Sequence, residues 1–170
     1  MSGFSVSANH SLRVIYAGNT DIIKKTDRVN ASSERLSSAD SNALRKGLNR
    51  LANYDFEHVG DNESRKNDFY DTLKAFSDAY NNTLDSGAAS SNASITKLTN
   101  QLKSSSKKHA GDLSDYGITF DDKGYMHVRK SAVDYISATS FKEVVGKDAS
   151  YSKELSDIAK RLTKHVDIAV

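Results

Sequence analysis

Between Phe69 and Leu84 a row of large apolar residues falls at steps of four, three, four and four: Phe69, Leu73, Phe76, Tyr80 and Leu84. A second run, Ile95, Leu98, Leu102, His109 and Leu113, keeps a similar rhythm, with a polar turn at Ser105 and Ser106. Intervals of three and four bring side chains onto one face of an α-helix, whereas a half-buried strand needs strict alternation. Small residues from Ser86 to Ser91 separate the two runs. The pattern predicts an antiparallel helical hairpin over 64–113, each arm roughly 20 residues and about 30 Å long. The rest of the chain is expected to pack on it.

None of the 170 residues is proline. Average usage of about 5% would supply roughly eight. An interior proline costs a helix about 3 kcal/mol, so its absence suits long uninterrupted helices. Cysteine is also absent, which excludes disulfides and thiolate metal sites. A hydrophobic content of 37% without Trp suits a helical bundle, whose seams need only two or three apolar positions in seven. The expected fold is mainly α: an elongated antiparallel bundle or coiled-coil hairpin with a small β-hairpin at 117–128. One domain is expected over 1–170, long enough for a real core.

Residues 1–32 are expected to be the less ordered part, with 1–10 frayed. Leu12 to Tyr16 reads either as a short strand or as the first turn of a helix, Gly18-Asn19 as a break, and Asp21 to Val29 as a short helix. Ser37-Ser38-Ala39-Asp40-Ser41 reads as a helix start, followed by Leu44, Leu48 and Leu51 to about Asn53; an earlier start near Ser33 is also open. Asp61 to Ser64 begins the first hairpin arm, and Asn92 caps the second. Ile118 and Phe120, then Met126 and Val128, alternate with polar residues around an Asp-rich turn ending at Gly124, which predicts a β-hairpin. Lys130 to Ala138 reads as a short helix with Val133 and Ile136 inward, before the apolar cluster Phe141, Val144 and Val145. Tyr151, Leu155, Ile158, Leu162 and Val166 predict a last amphipathic helix.

Charge is unevenly spread although the net charge is only +2. Residues 55–85 hold eight acids against three bases, whereas 95–110 hold four lysines and no acid. Two readings stand: the hairpin arms complement each other, or the lysines form a face for an acidic partner. Lys103 to Lys108 lack the interleaved aromatics of a stacking platform, and the weak net charge gives no global attraction to nucleic acid or an anionic membrane. No apolar stretch reaches 18 residues, so no membrane insertion is expected. Met1 to Ser5 do not form a secretory signal peptide.

The five histidines are scattered without metal-ligand spacing, and Asp121-Asp122-Lys123-Gly124 lacks the spaced ligands of a calcium loop. Phosphate-loop, dinucleotide and nucleophile-elbow patterns are missing. No enzyme activity and no cofactor are expected. The twelve residues Phe69, Leu73, Phe76, Tyr80, Leu84, Ile95, Leu98, Leu102, Leu113, Leu155, Ile158 and Leu162 are the expected helical seam and assembly core.

The order of these elements resembles one known family. Phe76-Ser77-Asp78-Ala79-Tyr80-Asn81-Asn82 is similar to the Phe-x-x-Ala-Tyr-Asn helix of flagellar filament-capping proteins, the hook-associated protein 2 family. There a second helix follows, then a Leu-x-x-x-Gly-Ile-x-x-Asp-x-x-Gly hairpin, comparable with Leu113 to Gly124 here, then a short helix with an apolar patch and a final helix. Tyr80, Asn81, Gly117, Ile118, Asp122 and Gly124 are taken as the family-like positions. Arg35 to Ser41 is similar to the helix entry of flagellins and hook–filament junction proteins. The resemblance covers about 66–168. Capping proteins carry large β domains that have no counterpart here, so the resemblance implies a reduced, helical-core relative. It implies assembly through helix–helix contacts, with protein partners (itself or flagellar and export components). The implied location is the bacterial flagellum, or outside the cell by flagellar export; without export the chain would be cytoplasmic. A soluble helical adaptor or chaperone-like module unrelated to flagella is the alternative.

Overall fold

A computed structural model describes residues 10–133 and 138–167, with side chains at 132, 138, 139, 166 and 167 left aside. The elements are α1 (His10–Ile15), α2 (Lys25–Arg28), α3 (Ser33–Ala52), α4 (Glu63–Ala89), α5 (Ala93–Lys108), α6 (Ala110–Ser114), β1 (Ile118–Phe120), β2 (Met126–Val128), α7 (Ala138–Val145) and α8 (Ser150–Asp167). Single 3₁₀ turns sit at Thr20–Ile22, Phe56–His58 and Lys130–Ala132. The mainly helical fold with one small antiparallel hairpin is the fold read from the sequence.

Helix ends follow local chemistry. Ser32 accepts a bond from Arg35 N–H at 3.2 Å, Asn62 one from Arg65 N–H at 3.0 Å, and Asn92 accepts from both Ser94 and Ile95. Each satisfies donors that a helix start leaves open. Of the two starts left open, the helix takes the earlier one, near Ser33 with Ser32 as its cap, and not the one at Ser37–Ser41. Ser37, Asp40 and Ser41 lie inside α3 on its buried face.

Helix pairing departs from the expected hairpin. α4 packs most extensively on α3, and α5 on α8, with α3 and α8 in contact between them. The polar turn of the second run is the reason. Ser105 and Ser106 are buried, and their hydroxyls meet Glu154 and Tyr151 of α8. Lys108 likewise pairs with Glu154, and Lys74 pairs with Asp78 along its own helix. Charge complementarity between the arms is not what joins them.

α4 and α5 do meet near their connection. The link read at Ser86 to Ser91 is shorter in the structure, because α4 continues through Gly87 to Ala89. A Cβ at Gly87 would lie 2.0 Å from Thr99 Oγ1 and 2.9 Å from Thr99 Cβ, so rotating the threonine cannot make room. Gly87→Ala should therefore lower stability by about 1–3 kcal/mol through overpacking, although alanine favours a helix by about 1 kcal/mol. Gly111→Ala, with nothing within 4 Å of the added atom, should not. Urea denaturation of the two variants makes the comparison.

All twelve seam residues are buried in one core. They close within a single chain rather than forming an open face. The segment 10–32, expected to be less ordered, folds onto the bundle, with Ile15, Tyr16 and Ile22 buried. Of the short helix expected at 130–138, Lys130–Ala132 form a 3₁₀ turn followed by buried Val133, residues 134–137 lie outside the described residues, and a helix covers Ala138–Val145. Residues 1–9, Ile136 and the Val166 side chain lie outside the described residues.

Candidate functional site

Five of the six residues singled out by the sequence resemblance meet where α4 supports the β-hairpin. The strands pair Ile118 with Val128, Thr119 with His127 and Phe120 with Met126. Arg129 N–H donates to Gly117 O at 3.1 Å and Asp121 N–H to Tyr125 O at 3.0 Å. Paired positions alternate, so the polar backbone of Met126 faces away from β1. The Asn81 carboxamide meets this free edge. Its Oδ1 accepts Met126 N–H at 2.7 Å and its Nδ2 donates to Met126 O at 2.9 Å. Ser77 Oγ donates to the same carbonyl at 3.0 Å. One side chain thus does the work of a third strand for a two-stranded unit that is marginal alone.

Around this clasp, Tyr80 packs edge-on to Phe120, with ring centroids 6.0 Å apart. The Tyr125 hydroxyl donates to Asp85 of α4. Gly117 and Gly124 have φ of 72° and 88°, conformations that cost a glycine little. The carboxylate that shapes the turn is Asp121 rather than Asp122. Asp121 Oδ1 accepts the N–H groups of Lys123 and Tyr125, both at 2.9 Å. The Tyr125 and His127 contacts hold the Asp121 carboxyl below its usual pKa. The Tyr80 hydroxyl is fully buried and has no hydrogen-bond partner among the described residues. Burial pushes its pKa up to about 12.

Asn81→Leu leaves both Met126 groups without this partner. At about 1–3 kcal/mol per buried group, the variant should lose at least about 2 kcal/mol of stability. Amide exchange at Met126 should accelerate while α3 and α8 stay protected.

A second polar centre ties α5 to α8. Glu154 accepts bonds from Ser105 Oγ and Lys108 Nζ, both at 2.7 Å, and lies 3.4 Å from His109 Nε2. The Lys108 bond, then the Ser105 bond, lower its pKa to about 2. A depressed carboxyl pKa stabilises the fold above the ordinary value and loses that effect as pH falls toward the folded value. The stability advantage of the native chain over Glu154→Gln should therefore be level above about pH 4.5 and shrink as pH falls toward about 2. Denaturation curves across that range measure it.

A third feature is a basic outer face. Lys97, Lys103 and Lys107 of α5 make no ion pair among the described residues, and Lys160, Arg161 and Lys164 are exposed on α8. A depression of about 440 Å³ lies between α5 and the hairpin turn, bordered by Lys103, Lys107 and Lys123 and also by Asp121 and Asp122. Among the described residues no three His, Asp or Glu side chains gather as metal ligands, and no helix is long and apolar enough to cross a membrane.

Comparison with protein-family models, curated proteins and solved structures finds no match. The chain is therefore read from its own geometry. Of the family-like residues, Tyr80, Asn81, Gly117, Ile118 and Gly124 come together at the clasp; Asp122 does not. The sequence reading missed a buried network in which Arg28 and Tyr16 converge on Asp40. Its one signal was position: Asp40, Leu44, Leu48 and Leu51 are spaced as a single helix face, which puts a charge on a seam.

Proposed function

We propose that this chain is a non-catalytic structural or assembly protein of the flagellar axial kind, working through contacts between helical surfaces. The observation that carries the reading is the clasp. Residues singled out by the resemblance, far apart in sequence, support one another there: Asn81 holds the edge of β2, Tyr80 packs on β1, and two left-handed glycines let the hairpin turn. A helix that carries a rigid hairpin suits a scaffold.

The mechanism differs in one respect from the burial of apolar seams between copies. Those seams are already filled, so contacts to other proteins are made by the outer, mostly polar faces. An adaptor or chaperone-like module would need an open apolar groove. Among the described residues the large exposed apolar side chains are Val14 and Val29, neither on a hairpin arm.

The test is direct binding. Purified chain is titrated with purified flagellin, hook–filament junction protein and flagellar export chaperone from its own source, and complexes are followed by sedimentation velocity. The reading expects a complex with at least one of them, weakened by Asn81→Leu. A folded chain that binds none overturns it.

A further inference from the structure

We propose that the basic face of α5 and α8 docks the acidic 55–85 segment of a second copy of this chain, head to tail. The proposal rests on the assembly reading and names a partner for it.

Folding leaves charge of opposite sign on two separate parts of the surface. α5 and α8 together carry eight Lys and Arg against three acids. Residues 55–85 carry the mirror image, eight acids against three bases. In one chain the arms could have cancelled, but they do not meet for that purpose, since α5 packs mainly on α8 and α4 mainly on α3. Lys97, Lys107 and Lys164 stand exposed without a carboxylate within 4 Å among the described residues. On the other side Asp55, Glu57, Asp61, Glu63 and Asp68 are all exposed. The basic side chains nearest them, Arg65 and Lys66, belong to the same short segment. Each copy therefore displays two patches of equal and opposite charge excess.

Such patches attract each other between molecules, and the attraction weakens as salt screens it. The shape of the basic face suits a protein. Along α5 it is a shallow groove floored by Ala93, Thr96, Asn100 and Ser104, with Lys97 at its side. Small side chains let another backbone come close. No aromatic residue lines this groove to stack on bases. A head-to-tail contact between the two patches is heterologous and continues from copy to copy unless the rotation closes a ring.

The experiment is sedimentation velocity over a concentration series, at about 50 mM and about 500 mM salt. One variant reverses the basic face (Lys97→Glu, Lys107→Glu, Lys164→Glu) and another the acidic segment (Asp55→Lys, Glu57→Lys). All five positions are exposed, so circular dichroism should show both variants folded. The native chain should associate at low salt and return to monomer at high salt. Each variant alone should associate at least about tenfold more weakly, and an equimolar mixture of the two should recover. A native chain that stays monomeric at low salt overturns the proposal, as does association indifferent to either reversal. A monomeric chain whose basic face instead shifts a nucleic-acid duplex overturns it too. Failure here with binding to flagellar proteins intact leaves the assembly reading standing. Self-association without any flagellar partner does the reverse.

Discussion

Replacing Asp40 with alanine should destabilise the fold by about 3–5 kcal/mol, among the largest effects of any single substitution. Asp40 is fully buried. Arg28 donates to it through two nitrogens, at 2.9 and 2.6 Å, and the Arg28 side chain is itself only 12% exposed. The Tyr16 hydroxyl donates to the same carboxylate at 2.7 Å and accepts from Asn82 Nδ2 at 2.8 Å. Burial, then the Asp40 charge, drives the Tyr16 pKa far above its usual value, so the phenol remains a donor. These bonds link the 10–32 segment to α3 and α4. Alanine strands a guanidinium in a site from which water is largely excluded, and desolvation rather than the lost bond makes the cost high. Urea denaturation should show the loss, and limited proteolysis should cut first within 16–32. The double variant Asp40→Leu with Arg28→Met removes both charges and should recover most of the stability. A single alanine variant within about 0.5 kcal/mol of the native chain would contradict this.

Phe69→Ala should cost a similar amount, about 3–5 kcal/mol, by a different route. The Phe69 ring lies 5.1 Å from Tyr54, 6.0 Å from Phe56 and 5.4 Å from Phe141, centroid to centroid. Phe141 in turn lies 5.1 Å from Tyr116, where the chain enters the hairpin. One side chain therefore joins α4, the turn before it, α7 and the hairpin base. Its removal loses the transfer energy of the ring, opens a cavity, and breaks edge-to-face contacts worth about 0.5–1.5 kcal/mol each. For a domain of this size the melting midpoint should fall by roughly 6–20 °C. Phe69→Leu should recover part of it. An unchanged midpoint for the alanine variant would mean that the cluster is not packed as described.

The difference between these two residues shows what the sequence could reveal. Phe69 announces itself, because it begins a run of apolar residues spaced by three and four, and that period says helix and which face is inside. The β-hairpin was equally legible from alternation and a glycine-ended turn. Asp40 was readable only as part of a polar helix start. Its role depends on Arg28, on a four-residue helix, and Tyr16, in the turn after a six-residue one, segments too short to show a period of their own. Helix pairing was hidden for a related reason. Ser105 and Ser106 look like a solvated turn until Glu154 and Tyr151 are placed opposite them. Asn81 was named by resemblance, yet its task requires knowing which backbone groups of β2 lack a strand. Between Asp121 and Asp122, only the geometry of the turn chooses.

The central claim is that the apolar seams close within one chain, leaving the outer faces to meet other proteins. Thermal unfolding over an about 100-fold range of protein concentration, in salt high enough to screen the charged faces, tests it most directly. An intrachain core expects one cooperative transition whose midpoint does not move with concentration. A midpoint that climbs steadily with concentration would mean that the seams close between copies, and would contradict the claim.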